Sequence, residues 1–168
     1  MINVYDNFLS SEDHIKVNEY VKSCPYYYGQ VDNVASGHAP TGLTSGVDLD
    51  EEVAVMLDTF LRKKMDLPTL KRVYVNMFGP NEISHFHIDD SLENTYTGLY
   101  YANVETWDHQ EGGETQFLMV DSNGKNSQTY GILPIPNRMV LFDSRMTHKA
   151  TPFHRRHRWT IALKYGND

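Results

Sequence analysis

The chain has 168 residues, of which 40% are hydrophobic and 22% charged, and its formal net charge is −7. This length suits one well-buried core and is short for two ordinary domains, and the acidic balance argues against a duplex nucleic acid as partner, because duplexes favour basic protein faces. Cys24 is the only cysteine, no apolar run approaches membrane-spanning length, and the first residues lack a signal-peptide pattern, so we expect a cytoplasmic protein without a membrane partner.

Two helices are predicted in the first part of the chain. One begins at segment 10–13, where two serines precede two acidic residues, and extends to about Lys22. The second helix shows an apolar stripe at helical spacing, formed by Val53, Met56, Leu57, Phe60 and Leu61. Acidic residues lie at its start, basic residues lie near its end, and Pro68 is expected to end it.

The segment 29–48 separates these helices and contains four glycines but little periodicity. A loop of this length inside a compact domain is either functional or mobile. Two interpretations stay open, a substrate lid and a disordered surface segment. For the three tyrosines at 26–28, packing is favoured over a place at the mouth of a binding site.

From Lys71 onward, short alternating runs separated by turn residues predict a series of strands. The predicted strands cover 73–78, 83–89, 97–104, 114–120, 126–133, 138–143, 146–151 and 157–165. The pair Asn123-Gly124 favours a hairpin between two of them. We therefore predict a single α+β, mainly β domain over 1–168. It has a jelly-roll core over about 71–165 and a helical part over about 1–68, whose helices pack on one sheet.

The motif His87-Ile88-Asp89 carries the main chemical signal. On a strand, the side chains of His87 and Asp89 leave the same face, and His148 joins them only if the fold brings a second strand alongside. Two imidazoles and one carboxylate are the ligand set of a non-haem Fe(II) site that leaves one face of the metal open. Arg158 follows with a permanent positive charge that can bind a carboxylate in bidentate geometry. The combination points to an oxygenase with an acidic, chelating co-substrate.

An ordered series of motifs extends from about Lys71 to Tyr165, over more than half of the chain. In chain order the motifs are His87 to Asp89, Thr97 to Asn103, Trp107, Gly112 to Thr115, Arg138 to Phe142, His148, and Arg158 to Thr160. Together they resemble the 2-oxoglutarate- and Fe(II)-dependent dioxygenases of the prolyl 4-hydroxylase-like group. The resemblance implies a double-stranded β-helix, Fe(II) held by His87, Asp89 and His148, and 2-oxoglutarate and O₂ as co-substrates, with ascorbate as an optional reductant. The implied reaction hydroxylates a C–H bond and releases succinate and CO₂.

The resemblance also implies which residues contact 2-oxoglutarate. It implies that Arg158 binds the distal carboxylate of this co-substrate. The other implied contacts are Thr160 and Tyr101 at that carboxylate and Asn76 at the chelating end. For Asn76, the open alternative is that it satisfies a buried backbone group. Phe78 stands where relatives often have a tyrosine, so one hydroxyl contact is either missing or supplied by Tyr74.

Several neighbouring residues receive structural interpretations. His85 shares the predicted strand face of His87 but lacks a carboxylate at the family's spacing, so we expect it to line the pocket or orient a ligand. Asp90 is expected to be solvated. Gly112-Gly113 is predicted to be a turn with positive φ, and Asn137, where relatives usually have glycine, tolerates left-handed geometry.

Other functions on a related architecture fit the sequence less well. A cupin-type site needs a glutamate four or five residues after its second histidine, where this chain has Ser91 and Leu92. A related halogenase has a small residue in place of the metal carboxylate, which here is Asp89. The acidic balance disfavours a nucleic-acid dealkylating enzyme. A non-catalytic module is expected to have lost a ligand or the arginine, and none is lost.

The substrate is less determined than the reaction. The resemblance favours a peptidyl proline, and a free amino acid or another small molecule is the alternative. The acidity of the whole chain favours peptides that carry lysine or arginine. Oligomeric state is left open by the sequence.

Overall fold

The computed structural model describes residues 1–28, 41–82, 84–121, 123–124 and 127–167. Within these ranges the chain forms two helices and ten strands. They are β1 Ile2–Tyr5, α1 Ser11–Ser23, β2 Tyr27–Tyr28, β3 Leu43–Val47, α2 Glu52–Arg62, β4 Thr69–Phe78, β5 Tyr96–Tyr101, β6 Thr115–Val120, β7 Ser127–Ile132, β8 Met139–Asp143, β9 His148–Ala150 and β10 Arg158–Gly166. In the described part of the chain, neither helix is long and apolar enough to cross a membrane.

The strands form two antiparallel sheets that face each other. The larger sheet has the order β1-β8-β5-β10-β4-β3-β2, and the smaller has the order β7-β6-β9. Buried side chains between the sheets, including Phe117, Phe142 and Leu99, form an inner core. The predicted double-stranded β-helix is confirmed.

Both helices pack on the outer face of the larger sheet. Val21 of α1 and Leu57 of α2 are fully buried with Ile161 of β10 in a second hydrophobic core, which we call the outer core. Ser10 caps α1 as predicted, because its hydroxyl accepts a hydrogen bond from the backbone N–H of Asp13 at 3.1 Å. The predicted packing of the helices on one sheet is therefore confirmed.

The end of α2 differs from the prediction. The helix ends at Arg62, well before Pro68. The Arg62 guanidinium donates to the backbone carbonyls of Leu67 at 2.8 Å and Pro68 at 2.9 Å. The arginine thus fastens the short connection to β4, so the helix does not need to extend to the proline.

The N-terminal part is not purely helical. β1 pairs with β8, and β3, which falls inside the segment predicted to be a loop, pairs with β4. These short strands lack a long alternating pattern, and glycines 42 and 46 obscure β3. The lid prediction for 29–48 falls mainly on residues 29–40, which lie outside the described residues. Of the three tyrosines, Tyr26 packs against the outer core, whereas Tyr27 and Tyr28 are exposed.

The predicted strand over 83–89 is wrong for the described residues 84–89. They form a single β-bridge, in which His87 pairs with His148. The backbone N–H of Asp89 donates instead to the carbonyl of Ser144 at 2.9 Å, in the turn before β9. The segment therefore leaves the sheet direction after one bridge, and this bend aims its side chains towards the space between the sheets.

Candidate metal centre

His87, Asp89 and His148 form a cluster between the two sheets, with one ligand atom of each within 4.8 Å of the others. Nε2 of His87 lies 3.6 Å from Oδ1 of Asp89, and Nε2 of His148 lies 3.5 Å from Oδ2. The side chains of all three residues are largely shielded from solvent. This arrangement brings together the three ligands predicted from the sequence.

The backbone orients both imidazoles towards the shared carboxylate. Nδ1 of His87 lies 3.0 Å from the carbonyl of His85, and Nδ1 of His148 lies 2.8 Å from the carbonyl of Met146. A carbonyl only accepts, so each Nδ1 carries the proton and each Nε2 presents a lone pair. Neutral histidine that binds through Nε2 is a common metal ligand, and such outer hydrogen bonds fix its tautomer.

The protonation states also suit a divalent cation. Burial is the main cause that lowers the pKa of His148 to about 4, so its ring is neutral near neutral pH. Burial acts to raise the pKa of Asp89, but Lys164 and the histidines outweigh it and hold that pKa well below its usual range. The cluster therefore combines a neutral His148 and an ionised Asp89 with the imidazole of His87, and two imidazoles with one carboxylate are the donor set of a non-haem iron site.

Lys164 is a member of the site that the sequence analysis missed. Its ammonium contacts Oδ2 of Asp89 and lies 3.2 Å from the hydroxyl of Thr97. Thr97 donates to the same carboxylate oxygen at 2.6 Å and lies 3.0 Å from the hydroxyl of Ser144. Lys164 and Thr97 both engage Oδ2, which leaves Oδ1 as the oxygen of Asp89 available to a metal.

The strand register explains why Lys164 reaches the site. Along β10, Arg158, Thr160, Ala162 and Lys164 alternate with residues of the outer core and line the cavity between the sheets. Lys164 is paired with Thr97 on β5. The period of two was visible in the sequence, but the strand pairing that brings Lys164 to Asp89 was not.

Arg158 lies at the other end of the same strand face and is only 1% exposed. Its Nε donates to the carbonyl of Gly113 at 2.9 Å, and its Nη2 donates to the hydroxyl of Thr115 at 3.0 Å. Gly113 has φ +89°, and a Cβ there would lie 2.4 Å from a ring carbon of Phe153, so glycine is required as predicted. Among the described residues, no carboxylate forms an ion pair with Arg158.

Thr160 is a second feature that suits an anion-binding site. Its Oγ1 is buried and has no hydrogen-bond partner among the described residues. A buried hydroxyl without a hydrogen-bond partner and a buried guanidinium without a carboxylate partner are both unfavourable without a ligand. A carboxylate that enters the cavity satisfies both, which fits the distal end of a dicarboxylate such as 2-oxoglutarate.

The remaining residues implied as co-substrate contacts take different places. Asn76 lines the cavity and lies in one row with Thr160 and Tyr101 across three strands. The Tyr101 hydroxyl lies 2.6 Å from the hydroxyl of Thr115, which accepts a hydrogen bond from Arg158. Tyr101 therefore helps to position a hydrogen-bond partner of Arg158.

Tyr74 does not stand in for the tyrosine that Phe78 replaces. Phe78 is opposite Arg158, whereas Tyr74 is opposite Ala162. Four residues along a strand span about 13 Å. Tyr74 therefore lies at the metal end of the cavity.

The side chain of His85 is not part of the metal cluster, and its backbone carbonyl orients His87. Asn137 has a φ of 60°, in the left-handed region that asparagine was expected to tolerate. Gly112 and Gly113 both have positive φ, as predicted for a turn. These predictions about backbone geometry are confirmed.

Comparison with known proteins places the chain in a family. The model of the 2OG-Fe(II) oxygenase superfamily matches residues 73–165, which is more than half of the chain. The chain belongs to the 2OG-Fe(II) oxygenase superfamily. It is therefore an oxidoreductase whose cofactors are Fe(II), 2-oxoglutarate and O₂. No curated protein matches its sequence significantly.

Solved structures share its fold at low sequence identity. A prolyl hydroxylase of Trichoplax adhaerens, in complex with a peptide fragment of a hypoxia inducible factor oxygen degradation domain, is 22% identical with a TM-score of 0.73, covering 99% of this chain and 83% of that one. A Pseudomonas putida prolyl-4-hydroxylase is 14% identical with a TM-score of 0.69, covering 99% and 92%. The viral collagen prolyl hydroxylase of Paramecium Bursaria Chlorella virus-1, in its 2-oxoglutarate complex, is 14% identical with a TM-score of 0.65, covering 99% and 96%.

Proposed function

We propose that this oxygenase hydroxylates a prolyl residue of a peptide, with His87, Asp89 and His148 as the iron ligands. The observation that carries the reaction class is that this triad and the unpaired Arg158 face one cavity. The prolyl substrate is supported by the kind of protein that shares the fold, since three of the solved structures are prolyl hydroxylases. A cytoplasmic location remains a prediction from the sequence.

The residues that line the cavity have different proposed roles at its two ends. Arg158 and Thr160 would hold the distal carboxylate of 2-oxoglutarate, and the triad that lines the same cavity would hold Fe(II). Lys164 and Thr97 hold Asp89 by one oxygen. When bound, iron and 2-oxoglutarate supply the oxidising chemistry, and the protein supplies binding and orientation.

Aromatic packing shields the metal ligands from water. The ring of His148 lies 4.7 Å from that of Phe142 and 5.8 Å from that of Phe117, both of which are fully buried. Exclusion of water limits side reactions at a reactive metal site. A bound substrate completes this enclosure on the open side.

The test incubates the protein with Fe(II), 2-oxoglutarate, O₂ and a library of proline-containing peptides. The expected result is a mass gain of one oxygen on a proline together with an equal amount of succinate. His148→Ala is the inactive control, and free proline and other free amino acids form a parallel arm. Stoichiometric oxidation of a free amino acid, with every peptide unmodified, would contradict the peptide substrate and leave the oxygenase class intact.

A further inference from the structure

We propose that the substrate carries a carboxylate close to the carbon that is hydroxylated, and that Arg72 binds this carboxylate at the metal end of the cavity. The inference rests on the proposed function for the reaction and specifies the chemistry of its substrate. It reverses the expectation of a basic peptide, which came from the net charge of the whole chain.

The strand register directs Arg72 to the cavity side of the larger sheet. Arg72 on β4 is directly paired with Lys164 on β10, and directly paired residues leave the same face of a sheet. Lys164 and Tyr74 both line the cavity that contains the metal triad. Arg72 therefore belongs to the same inner face, one strand beyond the ion pair of Lys164 and Asp89.

Arg72 and Lys164 approach the same aromatic ring. The guanidinium carbon of Arg72 lies 4.2 Å from the centroid of the Tyr74 ring, and the ammonium nitrogen of Lys164 lies 5.6 Å from it. Contact with the ring holds the Arg72 side chain against the cavity wall. Two cations therefore flank one ring at the rim.

Among the described residues, Arg72 has no carboxylate partner, whereas four other arginines have one. Arg62, Arg138, Arg145 and Arg156 pair with Asp58, Asp6, Asp143 and Glu111, respectively. Among the described residues, the exposed side chain of Arg72 makes no hydrogen bond and no ion pair, and its one contact of this kind is with the Tyr74 ring. An unpaired arginine in a chain of net charge −7 is a free receptor for an anion at this position.

The charge balance of the loaded site favours the same conclusion. The formal charges of Fe(II) and Arg158 equal those of Asp89 and the 2-oxoglutarate dianion, so these four groups sum to zero. Among the described residues that line the cavity, Lys164 then remains as excess positive charge, because Asp89 is the only carboxylate there, and Arg72 adds a second positive charge beside the Tyr74 ring. A substrate carboxylate at Arg72 offsets this excess, and the guanidinium fork matches it in geometry.

The experiment compares proline peptides that differ only in the residue beside the proline, which is Glu, Gln or Lys. Peptide affinity is measured by fluorescence anisotropy on protein loaded with Mn(II) and 2-oxoglutarate without O₂, and kcat/KM for hydroxylation is measured with Fe(II). The variants are Arg72→Gln and the charge reversal Arg72→Glu. Lys71→Gln is the matched control, because it changes the net charge equally from the opposite face of the same strand.

The wild type is expected to bind the Glu peptide about tenfold or more tightly than the Gln peptide. This difference should disappear in Arg72→Gln, reverse in favour of the Lys peptide in Arg72→Glu, and persist in Lys71→Gln. Equal affinity of the wild type for all three peptides, or a preference for the Glu peptide that survives in Arg72→Glu, would overturn the inference while leaving prolyl hydroxylation intact.

A second arm of the experiment tests whether the carboxylate belongs to a peptide substrate or to a free amino acid. It uses free proline and proline amide with the same variants and the same two readouts. If no peptide is bound or hydroxylated but free proline is bound better than its amide in a manner that depends on Arg72, the peptide proposal fails and the inference stands. If none of these compounds binds, both fail.

Discussion

Lys164 and Asp89 form an ion pair inside the cavity, and Thr97 donates to the same carboxylate oxygen at 2.6 Å. The protein thus keeps a buried cation beside the carboxylate that we propose as a metal ligand. In the metal-free protein, Lys164 balances the charge of Asp89. A metal held by the triad would share Asp89 with Lys164, whose contact with the carboxylate is at Oδ2.

The first prediction concerns Lys164→Met, which leaves the buried Asp89 without its cation. The metal-free variant should be less stable by about 3–5 kcal/mol, because one member of a buried ion pair is left uncompensated. Mn(II) should then raise the thermal unfolding temperature by more in the variant than in the wild type, since the metal no longer competes with the lysine. Differential scanning calorimetry with and without Mn(II) measures both effects.

The control for this prediction is Lys22→Met, which removes an exposed lysine 3.7 Å from Glu105. A surface pair of this kind contributes at most about 1 kcal/mol, so stability should change little. The ion-pair account is wrong if Lys164→Met and Lys22→Met unfold at the same temperature, or if Mn(II) stabilises Lys164→Met less than the wild type.

The second prediction separates stability from co-substrate binding at Thr160. Thr160→Val removes a hydroxyl that is buried without a partner, so the metal-free variant should be as stable as the wild type or more stable. Its affinity for 2-oxoglutarate should nevertheless fall by about tenfold, because a hydrogen bond to a charged group is lost. Anaerobic calorimetric titration and thermal unfolding give the two readouts.

The variant Arg158→Lys is compared in the same titration with 2-oxoglutarate. Lysine keeps the charge but loses the bidentate geometry, so 2-oxoglutarate should bind roughly thirtyfold or more weakly. Unchanged affinity in both Thr160→Val and Arg158→Lys would remove this end of the cavity from the co-substrate site.

Much of this site was accessible from the sequence, because its residues follow short-range rules. The grouping of His87 and Asp89 with His148 was predicted from motif order and residue chemistry, and the structure brings these side chains together. The role of Arg158 was predicted in the same way and stays a prediction. The partners of Asp89 were not accessible in that way. They depend on β10 lying between β4 and β5 and on the register that sets Lys164 opposite Thr97.

The errors in the fold have a common physical origin. Residues 84–89 alternate like a strand, yet their backbone makes one bridge and then turns towards Ser144. The short strands β1, β2 and β3 gain their hydrogen bonds from neighbours that are distant in the sequence. Local patterns carry little information about such pairing.

The third prediction concerns pH and the buried His14. Its Nδ1 lies 2.7 Å from the hydroxyl of Tyr100, which itself donates to Asn137 at 2.9 Å, so Nδ1 carries a proton and donates to Tyr100. Nε2 is buried without a hydrogen-bond partner in the described part of the chain, and burial is the main cause that lowers the pKa of His14. Below the usual histidine pKa of about 6.5, the unfolded state binds more protons than the folded state, and stability should fall as the pH falls.

This prediction is checked by urea unfolding of the metal-free protein between pH 7.5 and pH 5. The loss of stability on acidification should be smaller in His14→Gln than in the wild type. His109→Gln, at an exposed position, is the matched control and should keep the wild-type loss. An equal loss in His14→Gln and in the wild type would show that His14 does not contribute.

The most direct test of the central claim measures Fe(II) stoichiometry and metal-dependent 2-oxoglutarate binding under anaerobic conditions. Two neighbouring pairs of residues, Asp89 and Asp90, and His87 and His85, provide matched variants. The account predicts one Fe(II) and one 2-oxoglutarate per chain in the wild type, in Asp90→Ala and in His85→Ala. Asp89→Ala and His87→Ala should lose the metal and, with it, the tight binding of 2-oxoglutarate. Full iron binding in Asp89→Ala or His87→Ala, or its loss in His85→Ala alone, would contradict the assignment of the metal centre.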